Sequence, residues 1–319
     1  MKKKAIVVVG ATASGKTALG VHIAKRFNGE VISADSMQIY RGMDIATAKP
    51  TIEEMDGVKH HLIDFVDVRS QYSVANYCDD AKFIFNKVVE NNKLPVIVGG
   101  TGLYIDSFLS NTKFLEDASS DNVRQELLLE AEKYGIESLY EQLKVIDPVA
   151  AENIHPNNTV RVIRALEIYK TTGKTLTEQN RLSHTVESDI EPLYIGINYS
   201  DREILYNRIN RRVDLMLEAG LLEEAKEFFK LNPSKTAFNA IGYKELKPFI
   251  DGDLSFEVCV ENLKRETRRY AKRQITWFKR NKHINWVFPD KFSQEELFES
   301  VDKLISNYLG GDMIEEQNC

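Results

Sequence analysis

The segment GATASGKT, residues 10–17, follows directly after the apolar run AIVVV. It has the pattern G-x-x-x-x-G-K-[ST] of a phosphate-binding loop, which joins a buried strand to a helix. In such a loop the glycines let the backbone wrap an anion, and the N–H groups at the start of the helix point towards it. The segment therefore predicts an α/β fold whose first strand ends at a phosphate site.

Two residues of this loop have predicted roles of their own. Lys16 is expected to reach the outer phosphate group, and the hydroxyl of Thr17 is expected to bind Mg²⁺, the cofactor that the motif implies. Loops of this kind usually bind ATP or GTP, so a kinase or an NTPase is the first interpretation. The predicted phosphate-binding residues are Gly10, Ala11, Thr12, Ala13, Ser14, Gly15, Lys16 and Thr17.

The pattern of apolar residues divides the chain into two kinds of region. The first third alternates short apolar runs with amphipathic stretches, which is typical of parallel strands connected by helices. From residue 120 to 181 only helical periodicity is found. We therefore predict an α/β core, a parallel sheet flanked by helices, formed by residues 1–112 and 190–319. An all-helical domain is expected as an insertion at 113–189.

Charge is unevenly distributed along the sequence. The chain has a net charge of −6, but residues 264–282 contain nine basic residues and one glutamate. An acidic protein with one concentrated basic segment suggests a local contact with a polyanion. No apolar run is long enough to span a membrane, and the three cysteines are far apart. We therefore expect a cytoplasmic protein with no membrane contact.

Polar residues follow two of the predicted strands. Asp35 comes where the run EVISA ends, and Thr101 follows Gly99 and Gly100 at the end of LPVIVGG. Because parallel strands end at the same edge of a sheet, both side chains are expected beside the phosphate loop. There Asp35 can accept a proton, bind magnesium or cap a turn. Thr101 can contact the ligand or cap the next helix. A typical NTPase has a magnesium-binding Asp at the end of an apolar strand, whereas the strand LPVIVGG ends in glycine and is followed by Thr101.

Several blocks, in the same order along the chain, resemble the bacterial tRNA dimethylallyltransferases, also called tRNA isopentenyltransferases. The blocks are GATASGKTALG, SADSMQIYRGMDIATAKP, HHLID, LPVIVGGTGLY, RALEIYKTTGKTL, AIGYKEL and RRYAKRQITWFKR. The resemblance implies transfer of a dimethylallyl group from dimethylallyl diphosphate to N6 of the adenine just 3′ of the anticodon, in tRNAs that read codons beginning with U. It also implies that the loop binds a departing diphosphate rather than a nucleotide.

Four residues match the catalytic positions of that family. Asp35 matches the proposed general base, which takes a proton from the adenine amine. Lys16 and Arg208 match groups that contact the diphosphate, and Thr101 matches a threonine near the reacting centre. Arg212 lies one helical turn beyond Arg208 and could assist it, but a surface ion pair is its expected role.

The resemblance also implies that an anticodon stem-loop is bound, with the target adenine turned out of its stack. Val160 stands where the family is expected to have Gln, so this chain lacks that side-chain hydrogen bond. Relatives often have a basic residue in place of Asn239. The predicted tRNA-binding residues are Asp35, Ser36, Met37, Gln38, Thr101, Arg124, Val160, Arg161, Val162, Ile163, Arg164, Asn239, Gly242, Tyr243, Lys244, Arg269, Arg273 and Arg280.

Three other interpretations are compatible with the same motifs. The chain could be an adenylate isopentenyltransferase acting on free AMP or ADP, a nucleoside kinase, or an anticodon-loop RNA-binding protein without activity. The helical insert and the basic segment favour tRNA over a free nucleotide. Intact Lys16, Thr17, Asp35 and Thr101 favour an enzyme. A monomer is the simplest expectation for its assembly.

Overall fold

The computed structural model describes residues 2–114, 120–183 and 187–310. Within these residues one six-stranded sheet is found, and all of its strand pairs are parallel. Its strands are β1 (Lys3–Gly10), β2 (Gly29–Ser33), β3 (His60–His61), β4 (Leu94–Gly99), β5 (Ile190–Ile197) and β6 (Asn285–Val287). Their order across the sheet is β3-β2-β4-β1-β5-β6.

The helices follow the predicted alternation in the first third of the chain. The first four are α1 (Lys16–Arg26), α2 (Ile52–Met55), α3 (Val74–Glu90) and α4 (Gly102–Leu109). The next five are α5 (Asp121–Tyr134), α6 (Ile136–Ile146), α7 (Pro148–Asn153), α8 (Thr159–Thr172) and α9 (Leu176–Ser183). The last six are α10 (Arg202–Glu218), α11 (Leu221–Lys230), α12 (Lys235–Phe238), α13 (Tyr243–Ile250), α14 (Phe256–Phe278) and α15 (Gln294–Leu309).

The chain divides into two compact units. Unit 1, the core unit, contains Met1–Leu109 and Asp189–Cys319, and unit 2, the helical unit, contains Ser110–Ser188. These boundaries lie close to those expected from the sequence. The helical unit has its own apolar core, to which Leu127, Leu139 and Leu166 belong. No helix in the described part of the chain is long and apolar enough to cross a membrane.

The central strand β1 is buried on both faces of the sheet. Ile6 and Val8 belong to one apolar cluster, and Val7 and Val9 belong to another. Side chains alternate between the faces of a strand, so helices on both faces require an uninterrupted apolar run. The run AIVVV is therefore the sequence of a strand covered on both sides.

The segment HHLIDF, residues 60–65, is one of the short apolar runs that predict a strand, but the strand β3 formed there is much shorter. It ends after His61, because Leu62 has a φ of 59° and Asp64 has a φ of 58°. Residues with side chains rarely adopt this left-handed conformation, and it turns the backbone out of the ladder. The prediction of a strand continuing to Phe65 is wrong.

The carboxyl ends of the three neighbouring strands β2, β4 and β1 lie together. In the ladder Val9 pairs with Gly99 and Ser33 pairs with Val98. Beyond the ladder, the Thr101 N–H donates to the carbonyl of Ala34 at 3.1 Å. The sheet topology therefore brings the phosphate loop and the segments of Asp35 and Thr101 to one edge, as predicted.

Candidate active site

The phosphate loop connects β1 to α1 and is tightly packed against β5 at Gly10. A Cβ added at Gly10 would lie 2.7 Å from the carbonyl oxygen of Ile197. Gly15, with a φ of 101°, is the left-handed residue that precedes α1. Glycine is required at the first position by packing and favoured at the second by conformation. The helix begins at Lys16, so its first N–H groups face the space enclosed by the loop.

Two side chains of the loop are prepared for an anion. The ammonium group of Lys16 donates to the carbonyl of Ala11 at 2.6 Å. Burial lowers the pKa of Lys16 to about 8, although the charge of Asp35 partly opposes this shift. The Ser14 hydroxyl is buried and has no hydrogen-bond partner among the described residues. A buried hydroxyl without a partner is costly, and a phosphate oxygen would satisfy it.

Two arginines of α10 reach the same loop. Arg208 Nε donates to the carbonyl of Ala13 at 3.0 Å, and its guanidinium lies 5.4 Å from the ring centroid of Tyr199. Arg212 Nη1 donates to the Thr12 hydroxyl at 3.4 Å. No ion pair to Arg212 is found in the described part of the chain, and burial lowers its pKa. The expected surface ion pair of Arg212 is therefore wrong, because its side chain faces the phosphate loop.

The carboxylate of Asp35 is anchored through one oxygen. Oδ1 accepts hydrogen bonds from the N–H groups of Met37 at 2.9 Å and Gln38 at 3.3 Å. This is the turn-capping arrangement considered from the sequence, but it uses only one of the two oxygens. Oδ2 makes no hydrogen bond with the described residues, so a fixed carboxylate oxygen is available to accept a proton.

The Gln38 side chain is also held in one orientation. Its Nε2 donates to the carbonyls of Thr47 at 3.2 Å and Ala48 at 3.1 Å. Both donors of the amide are thereby used by the protein, and its oxygen remains an acceptor within the cavity that Gln38 lines.

Thr101 uses its hydroxyl to hold the segment after β2. Oγ1 accepts from the Ser36 N–H at 3.0 Å and donates to the Ser36 hydroxyl at 3.3 Å. In the described part of the chain this hydroxyl makes no hydrogen bond to an N–H group of α4, whereas the Thr101 carbonyl accepts from the N–H of Ile105 at 3.3 Å. Thr101 lies beside the cavity rather than among the residues that line it. Thr101 therefore acts on the site indirectly, because it holds Ser36, the residue that follows Asp35.

One cavity of about 700 Å³ in the core unit joins these groups. The phosphate loop and α10 line one part of it, and the segment from Asp35 to Gln38 lines another. Further lining residues come from the basic helix α14, from the loop before α13 and from the first turn of α13. They include Asn239, Gly242, Lys244, Tyr270, Arg273 and Gln274.

The donor set suits a magnesium ion that arrives with its substrate. Mg²⁺ takes oxygen ligands, and in phosphate-binding sites it is usually held by one or two protein oxygens and by the phosphates. The Thr17 residue lines the cavity beside the phosphate loop and offers such an oxygen. The described residues contain no cluster of three His, Cys, Asp or Glu side chains, which is the arrangement of a dedicated metal centre.

Three important residues were not predicted from the sequence. Gln274 Oε1 accepts from the N–H of Thr12 at 2.8 Å, and its Nε2 donates to the carbonyl of Gly100 at 3.0 Å. Burial and the charge of Asp35 raise the pKa of the neighbouring Tyr270 above its ordinary value. The helical spacing of Tyr270 and Gln274, four residues apart, indicates a shared face, but it does not indicate what that face contacts.

The third unpredicted residue, Glu224 of α11, organises the loop after Asp35. Its carboxylate accepts from the N–H groups of Asp44, Ile45 and Ala46 at 2.8–3.0 Å. It also accepts from the hydroxyl of Tyr243 at 2.8 Å. Tyr243 is fully buried, so its side chain is closed to tRNA, contrary to its place among the predicted tRNA-binding residues.

The basic helix α14 presents the predicted arginines to solvent. Arg273 and Arg280 are exposed, and their guanidinium groups lie 5.7 Å from the ring of Tyr270 and 5.4 Å from the ring of Trp277. Arg269 is exposed and pairs with Glu266 on the same helix at 2.7 Å. The helix ends at Phe278, so Arg280 lies just beyond it.

The predicted tRNA segment of the helical unit is only partly exposed. Val160 and Arg161 are exposed at the start of α8, whereas Val162 and Ile163 are buried in the core of this unit. Their inclusion as side-chain contacts to tRNA is therefore wrong. The reason is helical geometry, because neighbouring residues of one helix point in different directions.

The two remaining arginines predicted in this unit share one buried partner. Arg124 Nη2 and Arg164 Nη1 each lie 2.9 Å from Glu167 Oε2. Burial raises the pKa of Glu167, but the hydrogen bonds from both arginines outweigh burial, and the pKa lies below its ordinary value. About two-fifths of each arginine side chain remains exposed, at 40% and 38%. They therefore both stabilise the unit and reach its surface.

Comparison with known proteins gives consistent matches. The family model described as "IPP transferase" matches residues 38–281. A tRNA dimethylallyltransferase of Caldanaerobacter subterraneus is 47% identical over 309 residues, which are 96% of this chain and 97% of that protein. Among solved structures, the full-length tRNA isopentenylpyrophosphate transferase of Bacillus halodurans superposes with a TM-score of 0.73 at 42% identity, covering 97% of each chain.

A more distant structure supports the same relationship. A eukaryotic dimethylallyltransferase, described as acting on tRNA, superposes with a TM-score of 0.78 at 30% identity. The match covers 96% of this chain and 80% of that one. The likeness therefore extends over both units rather than over the phosphate loop alone.

Proposed function

Since the chain belongs to the IPP transferase family of tRNA dimethylallyltransferases, we propose that it prenylates N6 of the adenine 3′-adjacent to the anticodon. The donor is dimethylallyl diphosphate and the tRNAs are those reading codons that begin with U. The observation that carries this proposal is that one cavity is lined both by the phosphate loop and by Asp35. This supports an anion site and a proton acceptor that act on the same reacting carbon.

The phosphate side of the cavity stabilises the leaving group. As the bond from the allylic carbon to oxygen breaks, both bonding electrons pass to the diphosphate. Lys16 and the two arginines of α10 supply positive charge, and the loop N–H groups supply donors. Arg208 has used only Nε on the protein, so its two terminal nitrogens can contact a phosphate. Mg²⁺ held by Thr17 would neutralise further charge on the departing diphosphate.

The part of the cavity lined by Asp35 and Gln38 controls the nucleophile. The exocyclic amine of adenine is a weak nucleophile, because its lone pair is delocalised into the ring. As the bond from N6 to carbon forms, one proton passes from N6 to Oδ2 of Asp35. The Gln38 oxygen can accept a hydrogen bond from an amine, and the fixed amide disfavours a base that presents an oxygen there. The base enters the cavity only after leaving its stack in the anticodon loop.

The basic surface of α14 is the proposed contact for the anticodon stem. Its exposed arginines, Arg269, Arg273 and Arg280, supply charges for phosphates, and the last two are backed by aromatic rings. In the helical unit Arg161 is exposed, and Arg124 and Arg164 are partly exposed, so these three are the predicted cations that can reach tRNA. We propose a monomer as the active form. We place the enzyme in the cytoplasm, with its tRNA substrates.

One assay tests the function. The protein is mixed with Mg²⁺, dimethylallyl diphosphate and an unmodified anticodon stem-loop that has adenine after the anticodon, and the RNA is analysed by mass spectrometry. A mass gain of one dimethylallyl group on that adenine is expected. Product from AMP but not from the stem-loop would identify an adenylate isopentenyltransferase instead. ADP formed from ATP and a nucleoside would identify a kinase.

A further inference from the structure

The side chain of Gln274 connects two parts of the site that are far apart in sequence. It is 5% exposed, although it lies on a helix rich in arginine and lysine. Its oxygen accepts from the N–H of Thr12 in the phosphate loop, and its nitrogen donates to the carbonyl of Gly100 after β4. A neutral amide is the side-chain group that both accepts and donates at one planar end, and only one orientation satisfies both partners.

The packing around this amide leaves no space for other arrangements. A Cβ at Gly100 would lie 2.1 Å from Gln274 Nε2, so even alanine there would displace the amide. The Gly100 carbonyl is buried and the Thr12 N–H is partly buried, and a donor or an acceptor left without a partner in such places is costly. The geometry therefore matches one residue to two fixed backbone groups.

The hydrogen bonds continue from this amide to the proton acceptor. Gly100 is followed by Thr101, whose hydroxyl holds Ser36 through two hydrogen bonds. Ser36 is the neighbour of Asp35, and the N–H of Thr101 donates to the carbonyl of Ala34 at 3.1 Å. A continuous path of backbone and side-chain contacts thus joins the phosphate loop to both sides of Asp35, with Gln274 as its bridging member.

We propose that Gln274 is a positioning residue that fixes the separation between the phosphate loop and Asp35. Both polar atoms of its amide are bonded to the backbone, and it acts through Thr12 on one side and through Gly100 and Thr101 on the other. The Thr12 N–H is used by Gln274, so the diphosphate is bound by the later N–H groups of the loop. This inference rests on the proposed function, because the distance that matters is the one between a departing diphosphate and an attacking amine.

Two variants separate the two hydrogen bonds. Gln274→Met keeps the length of the side chain and loses both bonds. Gln274→Glu keeps the acceptor for Thr12 and loses the donor for Gly100. Thr276→Val is the matched control, since its hydroxyl bonds to the carbonyl of Lys272 within the same helix and faces solvent.

The kinetic readout is a split between kcat and KM. Misplacement of reacting groups by about 1 Å costs on the order of 100-fold in rate, so Gln274→Met is expected to lower kcat by about that factor. The KM for the stem-loop is expected to stay within about twofold, because both polar atoms of Gln274 are bonded to the backbone and none is left for the RNA. The fall in kcat caused by Gln274→Met is expected to be smaller in a Thr101→Val background, because both changes interrupt the same path from the phosphate loop to Asp35. Equal losses in the two backgrounds, or a wild-type kcat, would overturn the proposal.

A second readout does not depend on prenyl transfer. Hydrogen exchange of the peptide containing Thr12 is expected to accelerate in Gln274→Met and to stay slow in Gln274→Glu and in Thr276→Val. Gly100→Ala, which displaces the amide without altering it, is expected to reproduce the Met variant and replaces it if that variant is unstable. Unchanged exchange in both variants would refute the bridge. If the wild-type enzyme prenylates no stem-loop, the proposed function fails, and hydrogen exchange still decides whether the bridge exists.

Discussion

Cations are held differently at the phosphate loop of the core unit and in the helical unit. At the phosphate loop, Lys16 and Arg208 are held by backbone carbonyls, and Arg212 is held by a hydroxyl. In the helical unit, Arg124 and Arg164 share the carboxylate of one buried glutamate. A carbonyl or a hydroxyl fixes a cation without neutralising it, whereas a carboxylate does neutralise it. Charge at the phosphate loop is therefore available to a ligand, whereas the charge of Arg124 and Arg164 largely stabilises the helical unit.

The largest expected effect tests whether Asp35 acts as the base beside the phosphate loop of the core unit. Asp35→Asn keeps the acceptor for Met37 and Gln38 but cannot take a proton. General-base catalysis contributes about 10²- to 10⁴-fold, so single-turnover prenylation is expected to slow by that factor. The Kd for the stem-loop is expected to stay unchanged.

The control for this prediction is Asp253→Asn, an exposed carboxylate of the same unit. It removes the same charge at a distance from the cavity and is expected to leave the rate intact. Normal turnover by Asp35→Asn would show that the proton leaves by another route.

The next effect concerns the glutamate of the helical unit. Glu167→Gln removes a buried carboxylate bonded to two arginines, and hydrogen bonds to charged groups contribute about 1.5–3 kcal/mol, so a loss of about 2 kcal/mol in the free energy of unfolding is expected. Urea unfolding measures it. The exposed Glu132→Gln on α5 is the control and is expected to stay within about 0.5 kcal/mol of wild type.

The same glutamate predicts an acid dependence. The folded-state pKa of Glu167 lies below its ordinary value of 4.5, so its ionised form is preferred in the folded protein. This stabilisation is complete above about pH 4.5 and is lost as the pH falls through the lower, folded-state pKa. In Glu167→Gln this part of the acid dependence is expected to disappear. An identical pH profile in both proteins would argue against the ion pairs.

A smaller effect follows from the buried lysine. Lys16 has a pKa of about 8 and binds an anion in its charged form, which predominates below that pH. Affinity for inorganic diphosphate is therefore expected to fall as the pH rises from 8 to 9, by up to about tenfold for one titrating group. Lys16→Arg remains charged throughout, so the ratio of the two affinities isolates the lysine from the ionisation of diphosphate itself. A constant ratio would contradict the lowered pKa.

The smallest effect sharpens the comparison between paired and unpaired cations. Arg273→Ala is expected to reduce the slope of log Kd against log salt for the stem-loop by about 0.7–0.9, the value for one lost phosphate contact. Lys303→Ala on the exposed face of α15 is expected to leave the slope unchanged. Equal slopes for Arg273→Ala and wild type would remove that arginine from the tRNA surface.

The sequence predicted the parts of the site that depend on local pattern. The phosphate loop has its own motif, and Asp35 and Thr101 follow apolar runs whose ends must meet at one edge of a parallel sheet. Gln274 could not be predicted in this way, because its partner Thr12 is separated from it by 262 residues and no local pattern connects them. Glu224 was missed for the same reason.

Two other errors have different causes. Val162 and Ile163 were assigned to tRNA as members of one contiguous segment, although their helical positions already indicate burial with Leu166. Arg212 was assigned a surface ion pair because the sequence does not reveal which face of α10 meets the phosphate loop. Direction of a side chain, rather than identity of a residue, is what the sequence left undetermined.

The long helix α14 has a consequence for how this protein can change over generations. Tyr270, Gln274 and Trp277 are spaced by four and three residues, so their places depend on an uninterrupted helical count. An inserted or deleted codon between them would rotate every later residue by about 100° around the axis. The bridge from Gln274 to Thr12 would then be lost although the GATASGKT motif was intact. Descendants of this gene are therefore expected to accumulate length changes in surface loops and to keep the length of this helix constant.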